Sequence, residues 1–119
     1  MKVLIVEDDP LVRNMAAEAL IDEGFEVIEA ATGEEALAEC EDITADVLFT
    51  DIRLPGEITG WDVAERCRQA YPSLQVIYAT GYSMIEARPV PGSIFFQKPY
   101  TPDQLVRAIH SLTRGRVGP

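Results

Sequence analysis

Short apolar runs alternate along this chain with stretches in which apolar residues recur at helical spacing. Val3-Leu4-Ile5-Val6 is the first run. Asp9 then caps a helix, with Pro10 at its first position, where a missing N–H is harmless. Leu11, Val12, Met15, Ala16, Ala19 and Leu20 form a helical stripe that Gly24 stops. Phe25 to Ala30 reads as a second strand. Thr32-Gly33-Glu34-Glu35 is a capping box that opens a helix through Ala36, Leu37 and Cys40. Val47 to Thr50 is the third strand, and Leu54-Pro55-Gly56 the loop after it. Trp61 to Tyr71 is helical, closed by Pro72, and Leu74 to Ala79 is the fourth strand. Gly81 to Gly92 is irregular, with a turn or two of helix at Met84–Arg88 before Pro89 and Pro91 forbid more. Ser93 to Gln97 is the fifth strand. Thr101-Pro102-Asp103-Gln104 is a second capping box, starting a helix carried by Leu105, Val106, Ile109 and Leu112.

Five strands alternating with helices predict right-handed crossovers and a parallel sheet covered on both faces. The strands are near-continuous apolar runs, as such burial requires. A chain of 119 residues is expected to form one domain over 1–119, with 113–119 as a C-terminal tail. The net charge of −10 argues against general affinity for nucleic acid or anionic membrane. That charge is uneven: between Glu7 and Asp51 stand fifteen acids and one base, Arg13. Most of these acids suit a solvated helical face, and only position can assign some of them to a metal site. Cys40 and Cys67 fit no metal-ligand or redox spacing and are expected as buried free thiols in a reducing cytosol. No apolar run approaches the ~20 residues that span a bilayer, and Met1-Lys2 leads straight into a strand, so the expected location is cytoplasmic.

The chemistry gathers at strand ends. The first strand runs into Glu7-Asp8-Asp9, the third into Asp51, the fourth into Thr80-Gly81 and the fifth into Lys98-Pro99. In an open doubly wound sheet, ligands bind beyond the carboxyl ends of the strands. Carboxylates brought that close repel one another unless a divalent cation uses them. Glu7, Asp8 and Asp51 are hard oxygen donors suited to Mg²⁺. An ionised Asp51 can act as a nucleophile toward phosphorus, with Lys98 offsetting charge on the transferring group. Thr80 offers a hydroxyl to a phosphoryl oxygen, and Gly81 leaves room for the group to arrive. Asp9 reads as a helix cap, His110 as a solvated or partly buried side chain, and Trp61 as packing.

With VLIVEDDP, VLFTDIRLPG, VIYATGYS and FFQKPYTPDQL in this order, the chain resembles the receiver domains of two-component response regulators over essentially its whole length. The resemblance implies a flavodoxin-like (βα)5 fold with strand order 2-1-3-4-5. It implies that Asp51 accepts a phosphoryl group from a histidine kinase or histidine phosphotransfer protein, and that the output is an unknown downstream protein, with no direct nucleic-acid or membrane contact. Asp8 and Asp51 would bind Mg²⁺ directly, Glu7 through water, and the main-chain carbonyl of Arg53 would complete the protein ligands. Lys98 would pair with the phosphoryl group, Thr80 would swing toward it, and Lys98-Pro99 would be cis.

Three departures from the family pattern stand out. The loop from Ile52 to Gly60 is one residue longer than the commonest form, which is expected to reshape the rim beside the Arg53 carbonyl; Arg53 is also expected to govern water access and so the lifetime of the phosphoryl group. The stretch from Thr80 to Lys98 is short and proline-broken, so the fourth helix is expected to be shortened or remodelled, and dimerisation through it is in doubt. The switch aromatic falls on Phe95, which has no hydroxyl. Tyr78-Ala79-Thr80-Gly81-Tyr82 looks like the motif of the so-called FAT GUY receivers and of receivers attached to hybrid kinases, which makes Tyr82 a candidate moving aromatic. A kinase is expected to dock near Leu11, Val12 and Met15.

Two other classes remain in view. A haloacid dehalogenase-type phosphatase generally wants an Asp two places after its nucleophile, and that position holds Arg53. A phosphorylation-independent pseudo-receiver is expected to have lost a site residue, and none is missing. The chain is therefore expected to be no enzyme beyond its own phosphorylation and dephosphorylation. Its end at Arg116-Val117-Gly118-Pro119 leaves no DNA-binding segment, so the expected output is a protein contact, a phosphate passed onward, or another domain.

Overall fold

Strands and helices follow one another in the order β1 (Lys2–Val6), α1 (Pro10–Asp22), β2 (Glu26–Ala30), α2 (Gly33–Asp42), β3 (Val47–Asp51), α3 (Gly60–Ala70), β4 (Gln75–Thr80), β5 (Ile94–Gln97) and α4 (Pro102–Val117). The structure, a computed structural model, describes residues 1–42, 44–81 and 87–117, with side chains through Leu112. All five strands are parallel, in the order β2-β1-β3-β4-β5. This is the flavodoxin-like order, and it puts β1 and β3 side by side at the centre.

Strand alternation divides the apolar residues between two faces. Leu4, Leu48, Val76 and Tyr78 point toward α2 and α3, where Ala36, Cys40, Val63, Ala64 and Cys67 meet them. Val3, Ile5, Val47, Phe49 and Ile77 point the other way, against Ala16, Ala17 and Leu20 of α1 and Leu105 and Ile109 of α4. Caps set the helix starts. Asp9 accepts from the amides of Leu11 and Val12, and Thr101 and Gln104 exchange bonds as the capping box requires. Thr59 and Asp62 form a further capping box, which starts α3 one residue before Trp61.

Among the described residues of the β4–β5 connection there is no crossover helix. Met84–Glu86, where a turn or two of helix was expected, lie outside the described residues, and Gly81 and residues 87–93 form no helix. Pro89 and Pro91 remove two amide donors there. The segment is fastened down instead. Val90 is buried and its amide donates to the Tyr78 hydroxyl at 3.1 Å. Arg68 donates to the Pro91 carbonyl at 2.8 Å, and Arg88 pairs with Asp62 and Glu65 on α3.

Two expectations need correction. Residues 113–117 are not tail, because α4 continues to Val117. One glycine inside a helix costs about 1 kcal/mol, so Gly115 does not stop it. Cys40 and Cys67 are not free thiols but a disulfide, with Cα atoms 5.8 Å apart. Helices α2 and α3 follow β2 and β3, the two strands that flank β1, and pack side by side on one face, which brings together cysteines 27 positions apart in sequence. Among the described residues, no helix is long and apolar enough to cross a membrane.

Candidate functional site

The carboxyl ends of β1, β3 and β4 open into a cleft of about 550 Å³, lined by Asp8, Asp51, Arg53, Thr80, Gly81 and Lys98. Glu7 and Asp51 lie at its floor, 4% and 6% exposed, whereas Asp8 is exposed. One carboxylate oxygen from each of Glu7, Asp8 and Asp51 lies within 4.8 Å of the others. Lys98 reaches into this group from the β5–α4 turn. Its Nζ donates to Glu7 Oε1 at 2.8 Å and lies 2.9 Å from Asp51 Oδ1 and 3.1 Å from Oδ2.

Main-chain bonds hold each group in place. Glu7 donates its amide to the Ala30 carbonyl, and its second carboxylate oxygen accepts from the Asp9 amide at 3.1 Å. The Lys98 amide donates to the Thr80 carbonyl at 2.8 Å, which ties the lysine to the half-buried end of β4, and the Lys98-Pro99 bond is cis. Two supports escaped the sequence reading. Arg13 donates to the Glu7 carbonyl at 2.8 Å. Gly60 starts α3 so close beneath β3 that a Cβ there would lie 2.1 Å from the Asp51 carbonyl oxygen. The glycine that opens a helix just after the Asp51 loop was the available signal. Gly81 is less constrained, since a Cβ would meet Lys98 Cβ at an ordinary 3.9 Å.

Electrostatics follow from this crowding. Burial and then the Glu7 carboxylate push Asp51 up to about 8, although Lys98 pulls the other way. Burial also works against an ionised Glu7, but hydrogen bonds with Asp51, Lys98 and the Asp9 amide outweigh it and hold Glu7 below its ordinary value. Burial likewise disfavours the Lys98 ammonium, and the two carboxylates beside it more than offset that, leaving its pKa raised. Three carboxylates crowd one ammonium, and ionising all three leaves the site negative. The donors are all hard oxygens and one is solvent-facing, so the set fits a small divalent cation that keeps part of its water shell.

The remaining candidates divide. Arg53 is exposed at the rim of the cleft, and Thr80 lines it. Phe95 lies away from it, 39% exposed, with its ring 5.9 Å from Trp61 and 5.3 Å from Tyr78. Tyr82 lies outside the described residues. Asp9 is the α1 cap, Trp61 is buried packing, and His110 is half-buried, 3.5 Å from Glu23.

Comparison with known proteins agrees with this geometry. The family profile described as response regulator receiver domain matches residues 3–110. A response regulator receiver protein of Anaeromyxobacter sp. (strain Fw109-5) is 38% identical over 93% of this chain and 45% of its own length. A solved receiver protein of Sinorhizobium medicae WSM419 is 29% identical, covers 98% of this chain and 96% of its own, and superposes with a TM-score of 0.91. The response regulator TrrA of Thermotoga maritima, solved in complex with Mg(2+)-BeF, is 30% identical, with coverages of 93% and 97% and a TM-score of 0.82. The fold, the strand-end chemistry and these likenesses coincide: the chain belongs to the response regulator receiver domains. It spans about half the length of the curated relatives it matches.

Proposed function

We propose that this chain works as the phosphoacceptor of a two-component signalling system, with Asp51 as the accepting residue and 1–119 as one functional unit. The observation that carries this reading is the Lys98 ammonium, within 3.1 Å of both Asp51 carboxylate oxygens and 2.8 Å from Glu7. A partly buried ammonium held against both Asp51 oxygens is in place to offset the charge of a dianion delivered beside that carboxylate. An Asp51 oxygen attacks the donor phosphorus as the bond to the donor imidazole breaks and the imidazole keeps the electron pair. Lys98 then faces the new phosphoryl oxygens, and the Thr80 hydroxyl donates to one of them.

Glu7, Asp8, Asp51 and the Arg53 carbonyl are the proposed Mg²⁺ holders. Bound there, Mg²⁺ would supply charge that lowers the Asp51 pKa and offsets charge on the phosphoryl group. The complex of the Thermotoga relative with Mg(2+)-BeF supports that choice of metal. The proposed donor is a histidine kinase or phosphotransfer protein, the receiver of the signal a downstream protein, and the setting the cytoplasm, where such donors are charged. The chain turns over only its own phosphoryl group.

Incubation with Mg²⁺ and a small acyl phosphate, followed by mass measurement, tests the reading. Wild type is expected to gain one phosphate and Asp51→Asn none. A gain that persists in the variant overturns the assignment.

A further inference from the structure

The Cys40–Cys67 pair lies outside the cleft and has no part in the chemistry above. Cys40 sits near the end of α2 and is 7% exposed; Cys67 lies in α3 and is 1% exposed. A small groove of about 130 Å³, lined by Leu37, Glu41, Arg66 and Ala70, opens over the pair. The bond closes a ring of chain that contains β3, Asp51 and the whole loop 52–59. Both helices begin against that loop. A Cβ on Gly33 would fall 2.6 Å from Ile58 Cγ2, and Gly60 is wedged under the Asp51 carbonyl. Helices α2 and α3 are therefore two struts, joined covalently at one end and pressing on the Asp51 loop at the other.

We propose that Cys40 and Cys67 are a reversible redox site, opened and closed by dithiol–disulfide exchange, that sets how firmly the loop after Asp51 is held. The consequence for metal binding rests on the reading of that loop as part of the Mg²⁺ site. In a thiol-buffered compartment disulfides do not persist by default, and those that form there are usually transient redox devices. Opening is a two-electron exchange. A thiolate of an external dithiol attacks Cys40 Sγ, the more exposed sulfur, and Cys67 leaves as a thiolate that takes up a proton. The second thiol of the reductant then attacks its own sulfur in the mixed disulfide, and Cys40 leaves and is protonated. The reductant ends as a disulfide and the protein as two thiols. With the ring open, the struts separate more easily, and the loop pays more entropy to present the Arg53 carbonyl to a cation.

The test compares oxidised, reduced and reoxidised wild type with the Cys40→Ser/Cys67→Ser variant. Thiol alkylation and mass count the free cysteines, and the fluorescence of Trp61, the sole tryptophan, follows Mg²⁺ titration. The expected result is conversion in both directions, by a dithiol reductant and by oxidised glutathione, with Mg²⁺ bound roughly fivefold more weakly by the reduced form. Reoxidation should restore the affinity, and the double variant should bind alike with and without reductant. A pair that resists reduction or reoxidation, or equal Mg²⁺ affinity in the two forms, overturns the proposal. Phosphate gain at Asp51 is measured in parallel. Its loss in every form strikes the phosphoacceptor reading, whereas its retention with equal Mg²⁺ affinities strikes only the redox site.

Discussion

The two faces of the sheet are held by different means. On the α1–α4 side, Ala16, Ala17, Leu20, Leu105 and Ile109 cover the strands by apolar packing, and the half-exposed His110–Glu23 contact sits at its rim. On the α2–α3 side the packing is supplemented by a disulfide, by the Arg68 and Arg88 contacts to the 87–92 segment, and by the Trp61, Tyr78 and Phe95 rings. The difference tracks residues 87–93, which form no helix. Two helices bury a face through shape alone; an irregular, proline-broken segment has few apolar side chains to offer and needs individual ties. Of those ties the disulfide is the largest, about 3–4 kcal/mol for a loop of this length, and exposed ion pairs are among the smallest.

Both faces share β3, so the largest expected effect reaches them together. Asp51 is pushed up to about 8 from an ordinary 3.8, so the stability it allows is full below the ordinary value and is lost as pH rises through 8. Glu7, held below its ordinary 4.5, works the opposite way and loses its contribution only as pH falls below that value. Chemical denaturation of the metal-free protein should show the midpoint falling from pH 5 to pH 8.5, with Mg²⁺ reversing the fall. A flat profile would mean that the carboxylates are not crowded in solution.

Next come substitutions that probe one face each. Trp61→Ala should cost about 3–5 kcal/mol and Ile109→Ala about 2–5 kcal/mol in thermal or denaturant unfolding. The comparison sharpens in hydrogen exchange: Trp61→Ala should also speed exchange at the Val90 amide, and Ile109→Ala should leave it unchanged apart from the global loss. Tyr78→Phe keeps the ring but leaves the Val90 amide without its acceptor, at about 1–3 kcal/mol. Arg88→Ala comes last. Its ion pairs are exposed, so global stability should not move measurably, while amides in 87–92 exchange faster. Unchanged exchange there would show that the ion pairs do not hold the segment.

Strand positions and site residues were legible because each rests on local signals: apolar runs, caps, and polar residues at strand ends. Observed boundaries fall within a residue of those read for β1 through β5. What escaped depends on the third dimension. Nothing near Cys40 or Cys67 announces their partnership, which exists only once β2, β1 and β3 are ordered. The Thr59–Asp62 capping box was readable in principle, but its Asp stands where the usual pattern has Glu or Gln. The extension of α4 into residues 113–117 was not read because the apolar stripe that carries the helix ends at Leu112.

The bond from Lys98 to Glu7 joins residues 91 positions apart. During synthesis the chain therefore delivers its carboxylates long before their counter-charge. Until residue 98 has emerged and β5 has docked, Glu7, Asp8 and Asp51 crowd one another without that ammonium. A nascent or truncated chain can build the acidic end of the sheet and still lack a complete acceptor, so competence for signalling is acquired last, with the final strand.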